Sequence, residues 1–194
     1  MEHGQVFLLP RGRKRYLGKS YGTPCKKNRI KAGRSESPSY GIIDSQSVKT
    51  IYASDERGID GGKKIKGRKR HIVTDIMGNL LAVSVHAANF HDTVFGLVPA
   101  MQAYDNFPTI KRFCGDEGYR KTFENDVAKE LGLGVDISKR IDPKFAVIPK
   151  RWVVERTLSW FGNSRRLSKD YEIRTYYSEA VVQISHFHTL LKRL

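Results

Sequence analysis

The sequence predicts an α/β fold in which helices cover both faces of a mixed β-sheet. Along residues 40–194, short runs rich in β-branched residues alternate with longer helical runs. Two of the β-rich runs are joined by the turn Met77-Gly78-Asn79, which indicates an antiparallel hairpin. The resulting order is strand, hairpin, helix, strand, helix, strand, helix. Ligands gather at strand ends in such sheets, so we expect functional side chains there.

The elements follow in chain order from β propensity, helix caps and turn residues. The predicted strands span about 41–49, 68–74, 80–86, 110–114 and 135–137. The predicted helices span about 93–104, 123–131, 149–167 and 178–194. Asp92 is the expected N-cap of the first helix, and Gly132 is the expected stop of the second.

Residues 1–39 differ from the rest of the chain. They hold ten Lys and Arg against Glu2 and Glu36, and they are rich in Gly, Pro and Ser. Beyond residues 5–9 they show no apolar periodicity that would form a packed element. We therefore expect a basic, poorly ordered N-terminal arm over 1–39 and a folded domain over 40–194.

The charge of the chain points to a polyanionic partner. It contains 35 Lys and Arg against 20 Asp and Glu, a net charge of +15. Six cations lie within eight residues, and they are interpreted as a loop that follows DNA phosphates: Lys63, Lys64, Lys66, Arg68, Lys69 and Arg70. An ordinary basic surface is the alternative.

The cellular location is predicted from what the sequence lacks. Cys25 and Cys114 form no disulfide framework, and they lack the spacing of a zinc site. No apolar run approaches the roughly 20 residues that cross a bilayer, and no signal peptide is recognisable. We expect a soluble cytoplasmic protein that associates with the nucleoid.

Three acidic residues are the candidate catalytic and metal-binding set. Asp44 follows the apolar run 41–43, Asp116 follows the strand-like run 110–115, and Glu155 lies in a basic, apolar helix. An isolated Asp after a strand usually bonds its own loop. The recurrence of the pattern, together with the basic composition, favours a metal site that acts on phosphodiesters.

Phosphodiester cleavage needs an activated attacking oxygen and a neutralised leaving oxygen, and a pair of divalent ions supplies both. Mg²⁺ or Mn²⁺ prefers carboxylate oxygens from several elements. We expect Asp44 to bridge two ions, with Asp116 and Glu155 each binding one. Arg151 lies four residues before Glu155, where it either pairs with that carboxylate or holds a phosphate.

Four motifs carry a resemblance to a known family. They are residues 43–50 (IDSQSVKT), 60–71 (DGGKKIKGRKRH), 115–120 (GDEGYR) and 151–157 (RWVVERT), the last followed by 165–172 (RRLSKDYE). In this order they resemble the bacterial insertion-sequence transposases of the IS5 type. The resemblance covers the chain from about residue 30 onward.

The resemblance implies an RNase H-like fold with a DDE triad at Asp44, Asp116 and Glu155. It also implies DNA contacts from Arg120, Arg151, Arg165 and Arg166. Two positions depart from the Tyr-Arg-Glu-Lys signature of the wider superfamily, because Ile148 and Gly162 replace its tyrosine and lysine. Arg165 or Arg166 is the expected substitute for the lysine.

Relatives of this type carry a helical DNA-binding region before the first aspartate, and residues 1–39 do not resemble it. A shortened copy, or one of two reading frames, is therefore expected. The expected function is that of a transposase catalytic domain, which cuts DNA at insertion-sequence ends and joins the 3′-hydroxyl to target DNA. The expected partners are both DNAs, with a homodimer and a partner reading frame left open. An inactive remnant that binds DNA non-specifically and an RNase H-like nuclease or resolvase are the alternatives.

Overall fold

The computed structural model describes residues 18–138 and 151–193. Its strands are β1 Tyr40–Lys49, β2 Gly58–Asp60, β3 Ile65–Thr74, β4 Leu80–Ala87, β5 Arg112–Asp116 and β6 Gly134–Ser138. Its α-helices are α1 Gly18–Lys31, α2 Asp92–Phe95, α3 Leu97–Asn106, α4 Thr122–Leu131, α5 Arg151–Gly162 and α6 Thr175–Leu191. Single 3₁₀ turns lie at Glu117–Tyr119 and Arg165–Leu167.

The six strands of the described residues form one mixed sheet. Strand β3 pairs antiparallel with β1 along one edge and with β2 and β4 along the other. Strand β1 pairs in parallel with β5, and β5 in parallel with β6. The mixed β-sheet of the predicted fold class is therefore confirmed.

Helices cover both faces of the sheet because successive side chains of β1 point to opposite sides. Ile42 belongs to a buried cluster that includes residues of α1, α5 and α6. Ile43 belongs to a second cluster, built with α3 and α4. Asp44 follows Ile42 by two residues, so it lies on the face covered by α5.

Helix α1 is the main departure from the predicted elements, because the sequence indicated no packed element before Tyr40. Cys25, Asn28 and Arg29 of α1 are buried. Arg29 forms an ion pair of 2.5 Å with Asp75, in the turn between β3 and β4. The contact face of α1 is largely polar, so a search for apolar periodicity misses it. Residues 1–17 of the predicted arm lie outside the described residues.

Several predicted boundaries also shift. Strand β3 begins at Ile65, so it contains four of the six cations of the basic run, and β5 ends at Asp116. The helix expected over 93–104 is divided into α2 and α3 at Gly96. The helix expected over 149–167 is α5, which ends at Gly162 within the described residues.

The cap of α2 also differs from the prediction. Its N-cap is His91, and the predicted cap Asp92 instead pairs with Lys69. The expected stop at Gly132 is confirmed, since this glycine ends α4 with a φ of 67°. None of the helices in the described part of the chain combines the length and apolar content that a membrane span needs.

Candidate active site

The parallel pairing of β1 and β5 brings Asp44 and Asp116 side by side. The last paired residues of the two strands are Ile42 and Cys114. Two residues beyond that pair, the same register places Asp44 next to Asp116. Asp44 lies within β1 rather than at its end, because β1 continues to Lys49 against β3. The acidic pair therefore marks the point at which β1 loses its parallel neighbour.

Helix α5 supplies the third carboxylate. Its apolar stripe, which includes Val154, Leu158 and Phe161, is buried in the cluster that contains Ile42. This packing orients Glu155, on the exposed side of α5, toward the end of β5. An ion pair through Arg151 connects Glu155 to Asp116, so the two strand carboxylates and the helical one form a single acidic centre.

Arg151 stands between two of these carboxylates. Its Nε lies 3.0 Å from Oε1 of Glu155, and its Nη2 lies 3.4 Å from Oδ2 of Asp116. Both alternatives raised for Arg151 therefore have geometric support: it pairs with Glu155, and its guanidinium lies at the acidic centre where a phosphate would approach. The pairing also neutralises charge that would otherwise accumulate among the carboxylates.

Asp44 has an unusual protonation equilibrium. The pKa of Asp44 is raised to about 6, chiefly by burial and also by the negative charges of Asp116 and Glu155, while the amide of Ser45 and the guanidinium of Arg151 act to lower it. The Ser45 amide donates to Oδ1 of Asp44 at 2.7 Å. Mutual repulsion among carboxylates of this kind is what a bound cation would relieve.

The turn after Asp116 holds residues for which the sequence indicated no role. Oδ1 of Asp116 accepts a hydrogen bond of 2.9 Å from the amide of Gly118. A Cβ on Gly118 would lie 2.9 Å from the same oxygen, so only glycine fits without displacement. Tyr119 is fully buried, and burial followed by the charge of Asp44 raises the pKa of its hydroxyl. The sequence feature that could have indicated this turn is the pair of glycines on either side of Asp116, Gly115 and Gly118.

The donor set suits a divalent cation, although its present arrangement is not closed. Asp44, Asp116 and Glu155 offer hard carboxylate oxygens from two strands and a helix. Within residues 18–138 and 151–193, no three His, Cys, Asp or Glu side chains are disposed to hold a metal ion as they stand. Arg151 pairs with two of the three carboxylates, so the residues fit a cation once this guanidinium releases them.

The basic run was expected to be a DNA-binding loop, and for Arg68 and Arg70 the structure contradicts this. Both side chains are buried. Arg68 forms an ion pair of 3.3 Å with Asp170 and donates to the carbonyls of Asp55, Glu172 and Ile173. These partners occupy the whole guanidinium, so Arg68 has no access to a phosphate.

Arg70 and Lys69 are also turned inward. Arg70 donates to the carbonyls of Leu167 and Lys169 at 2.8 and 3.1 Å, and burial lowers the pKa of Arg70 to about 10. Lys69 is buried and lies 2.9 Å from Asp92. The expected DNA contacts of Arg68, Lys69 and Arg70 are therefore wrong, because both faces of β3 are covered and each of the three side chains has partners inside the fold.

The other predicted DNA contacts are accessible to solvent. Lys63, Lys64, Lys66, Arg120, Arg165 and Arg166 are exposed, and Arg151 is half-buried. Arg166 is paired with Glu172 at 2.7 Å, and Arg120 with Glu117. Asp44 of β1 pairs with Ile72 of β3, and Lys66 lies six residues before Ile72 on the same strand. The lysine loop is therefore ~20 Å from the acidic centre.

The family profile described as Transposase DDE domain matches residues 35–175, which is more than half of the chain and includes all three acidic residues. The chain belongs to the transposase DDE domain family. Domains of this family use divalent metal ions and act on DNA.

One curated relative of this DDE domain is the proposed transposase for insertion sequence element IS402 of Burkholderia cepacia. The two are 34% identical over 120 residues, which is 56% of this chain and 55% of the relative. The matched region thus spans about half the length of that relative.

Two solved structures are similar to this DDE domain. The catalytic core domain of BIV integrase gives a TM-score of 0.46 at 12% identity, over 76% of this chain and 80% of that one. The catalytic domain of Mos1 mariner transposase gives a TM-score of 0.45 at 11% identity, over 95% of this chain and 93% of that one.

Proposed function

We propose that this chain is the catalytic domain of an insertion-sequence transposase of the IS5 type, which cuts DNA at the element's ends and transfers the 3′-hydroxyl strand to target DNA. The observation that carries the proposal is the acidic centre, in which Asp44 and Asp116 lie on adjacent parallel strands and Glu155 joins them through Arg151. The family supports a transposase, and the 34% identical relative supports an insertion-sequence element.

Asp44, Asp116 and Glu155 would hold Mg²⁺ or Mn²⁺, with Asp44 shared between two ions. Such a metal pair supplies an activated attacking oxygen and a neutralised leaving oxygen at the scissile phosphate. The residues of the chain fix the geometry of this centre: β1 and β5 hold two carboxylates rigidly, and α5 carries the third. The amide of Ser45 and the amide of Gly118 each bind one carboxylate oxygen, which limits rotation of both aspartates.

Arg151 has two roles in the proposal. Before the metal binds, its single positive charge offsets part of the negative charge of Asp116 and Glu155. Once a cation takes over this task, the guanidinium is available to a DNA phosphate, for which its planar fork is well suited. Arg165 lies exposed beyond the end of α5, where Gly162 leaves no side chain, and we assign it a second phosphate contact.

The exposed cations outline the path of the DNA. Arg120 lies four residues after Asp116, and Arg165 and Arg166 follow the end of α5, so we assign phosphate contacts to all three, and the loop with Lys63, Lys64 and Lys66 would hold duplex farther along. A protein that acts on chromosomal DNA would associate with the bacterial nucleoid in the cytoplasm.

The test is cleavage of supercoiled DNA and strand transfer with Mg²⁺ or Mn²⁺, comparing the wild type with Asp44→Asn. Loss of a shared metal ligand should reduce the rate on the order of 10³-fold or more. Asp126→Asn, on the surface of α4, is the matched control and should leave the rate unchanged. Equal rates for the wild type and Asp44→Asn would overturn the triad assignment.

The same assay separates the alternatives. A remnant that only binds DNA would show affinity for duplex without metal-dependent cleavage by the wild type. A nuclease or resolvase of this fold would cut DNA without joining the 3′-hydroxyl to a second molecule.

A further inference from the structure

A buried polar cluster lies on the face of the sheet opposite the acidic centre. Side chains alternate along β1, so Ser45 points away from the side on which Asp44 lies. Ser45 pairs with His71 across β1 and β3, and Lys69 lies two residues before His71 on the same strand. These three side chains are buried, and Asp92 of α2 contacts two of them. We call the four residues the Asp92 cluster, and the chemistry proposed above uses none of their side chains.

The carboxylate of Asp92 is the anion of the Asp92 cluster. Its Oδ1 lies 2.9 Å from Nζ of Lys69, which also donates to the carbonyl of Phe90 at 2.9 Å. Burial acts to raise the pKa of Asp92. The net shift of this pKa is downward, because His71, Lys69 and the hydroxyl of Ser45 outweigh burial. Asp92 is therefore ionised at neutral pH, and because an ionised carboxylate only accepts hydrogen bonds, the Ser45 hydroxyl donates to it.

His71 does not compete with Ser45 for this carboxylate. Nδ1 of His86 donates to the carbonyl of Ala87 at 2.8 Å, so Nε2 of His86 accepts from Nδ1 of His71 at 2.7 Å. Burial lowers the pKa of His71 to about 3, so the ring is neutral and its Nε2 carries no proton. That nitrogen lies 3.5 Å from Oδ1 of Asp92 without donating to it. Among the described residues, the side-chain donors to Asp92 are therefore Lys69 and Ser45.

Ser45 connects Asp92 to the acidic centre. Its amide donates to Oδ1 of Asp44 at 2.7 Å, while its hydroxyl is held by Asp92. Strand β1 pairs with β5 as far as Ile42, so at Asp44 the strand has lost its neighbour on that side. The bond from Ser45 to Asp92 restrains β1 at this point, and with it the peptide that orients the carboxylate of Asp44. A shared metal ligand needs such support, because displacements of ~0.5 Å weaken a site.

We propose that Asp92 is a positioning residue for the metal centre, and that it acts on the carboxylate of Asp44 through the hydroxyl of Ser45. The proposal rests on the metal-binding role assigned to Asp44 above. It extends that role to a carboxylate that does not bind the ion, since Asp92 bonds to side chains on the other face of the sheet.

Strand β1 offers a matched control two residues farther along. Ser47 points to the same face as Ser45, and its hydroxyl donates to Oδ2 of Asp60 at 2.5 Å. Asp60 also lies beside Lys69, at 3.9 Å from its Nζ. Ser45 and Ser47 are 7% and 8% exposed, so loss of either hydroxyl should lower the melting temperature by a similar amount. Of the two serines, Ser45 is the one whose amide binds a proposed metal ligand.

Mn²⁺ binding, measured by isothermal titration calorimetry, tests the proposal independently of DNA cleavage. Ser45→Ala should weaken Mn²⁺ binding about 10-fold, because the carboxylate of Asp44 is then less well held. Ser47→Ala should bind Mn²⁺ as the wild type does. Equal affinities of these two variants, with Asp44→Asn unable to bind, would overturn the role of Asp92 and leave the metal site standing. Equal Mn²⁺ binding by the wild type and Asp44→Asn, or none by the wild type, would overturn the metal site and the positioning role together.

A double-mutant cycle assigns the effect to the contact between Ser45 and Asp92. Asp92→Asn keeps the size of the side chain and removes its charge, and it should also weaken Mn²⁺ binding about 10-fold. Adding Ser45→Ala to Asp92→Asn should weaken binding no further, because both changes break the same contact. A loss of roughly 100-fold in this double variant would mean that the two residues act separately, which would refute the proposal. In the cleavage assay, raising the Mn²⁺ concentration should restore the rate of Ser45→Ala, and failure to restore it would also count against a positioning role.

Discussion

The two charged regions beside β1 behave in opposite ways. On β3, the guanidinium of Arg68 is buried, where it forms an ion pair with Asp170 and donates hydrogen bonds to three carbonyl groups. At the acidic centre, Asp44 has like charges for neighbours, and Arg151 is shared between Asp116 and Glu155. Removing one partner of such a matched, buried charge destabilises the fold. A carboxylate whose neighbours are other carboxylates, such as Asp44, is instead expected to bind a cation.

The largest expected effect is on the matched region. Replacing Arg68 by Met leaves Asp170 and the carbonyls buried without their donor, which should lower the free energy of unfolding by about 3–5 kcal/mol. Urea denaturation measures it. Arg165→Met removes an exposed arginine and should change stability by less than about 0.5 kcal/mol. If the two variants were equally stable, the distinction between the regions would fail.

Buried histidines extend the comparison to groups that are kept neutral. Burial lowers the pKa of His186 to about 4, so the unfolded chain binds this proton more readily than the folded one. The stabilising contribution is complete above pH 6.5 and is lost progressively as the pH falls toward 4, at up to about 1.4 kcal/mol per pH unit.

His71 and His86 act in the same direction, since burial lowers their pKa values to about 3 and 4. Thermal unfolding between pH 7 and pH 4 should therefore be steeply pH-dependent. His186→Asn should make the melting temperature less dependent on pH, because it removes the contribution of His186. His188→Asn, at an exposed position, is the control and should leave the dependence as it is. An unchanged slope in His186→Asn would exclude His186 as a source.

The acidic centre should show the reverse sign. The pKa of Asp44 is raised to about 6, so its contribution to stability is present at low pH and is lost as the pH rises through 6. Without metal, Asp44→Asn should be more stable than the wild type at pH 8, by about 1 kcal/mol, and the difference should shrink at pH 5. Differential scanning calorimetry measures both.

Metal should reverse that order. Mg²⁺ or Mn²⁺ should raise the melting temperature of the wild type, because it binds the folded state alone, and should fail to raise that of Asp44→Asn or Asp116→Asn. The same metal-induced rise in all three proteins would place the cation elsewhere.

The smallest effect concerns the exposed lysines. Replacing Lys63, Lys64 and Lys66 by Ala should weaken binding to all DNA sequences alike and flatten the plot of log affinity against log salt by up to about three units. A comparison of affinities from 50 to 200 mM salt tests it. Lys129→Ala, on the exposed side of α4, is the control. An unchanged slope would mean that these three lysines do not contact DNA phosphates.

The sequence predicted the parts of the fold that depend on neighbouring residues. The β3–β4 hairpin follows from Gly78, and the end of α4 follows from Gly132, because glycine permits a positive φ at each position. The acidic centre was also within reach, since two aspartates each follow an apolar run and Glu155 lies in a recognisable helix. Their convergence required the pairing of β1 with β5, which the sequence did not specify.

The sequence could not predict the fate of the basic run or of α1. Arg68 depends on Asp170, about a hundred residues away, and no local pattern announces such a partner. Helix α1 is held by the contacts of Arg29 with Asp75 and of Asn28 with Asn79. In the sequence alone, the polar side chains of Arg29 and Asn28 indicate exposure to solvent. Polar contacts between distant segments escape a method that follows apolar periodicity.

The parallel pairing of β1 with β5 also sets the time at which the acidic centre can form. Asp44 leaves the ribosome 72 residues before Asp116 (116 − 44) and 111 residues before Glu155 (155 − 44). A strand pair of such sequence separation closes late and slowly, because a long loop must be ordered first. The nascent chain therefore carries Asp44 without either partner carboxylate for 72 residues of synthesis, and the acidic centre is complete only after α5 has emerged and packed.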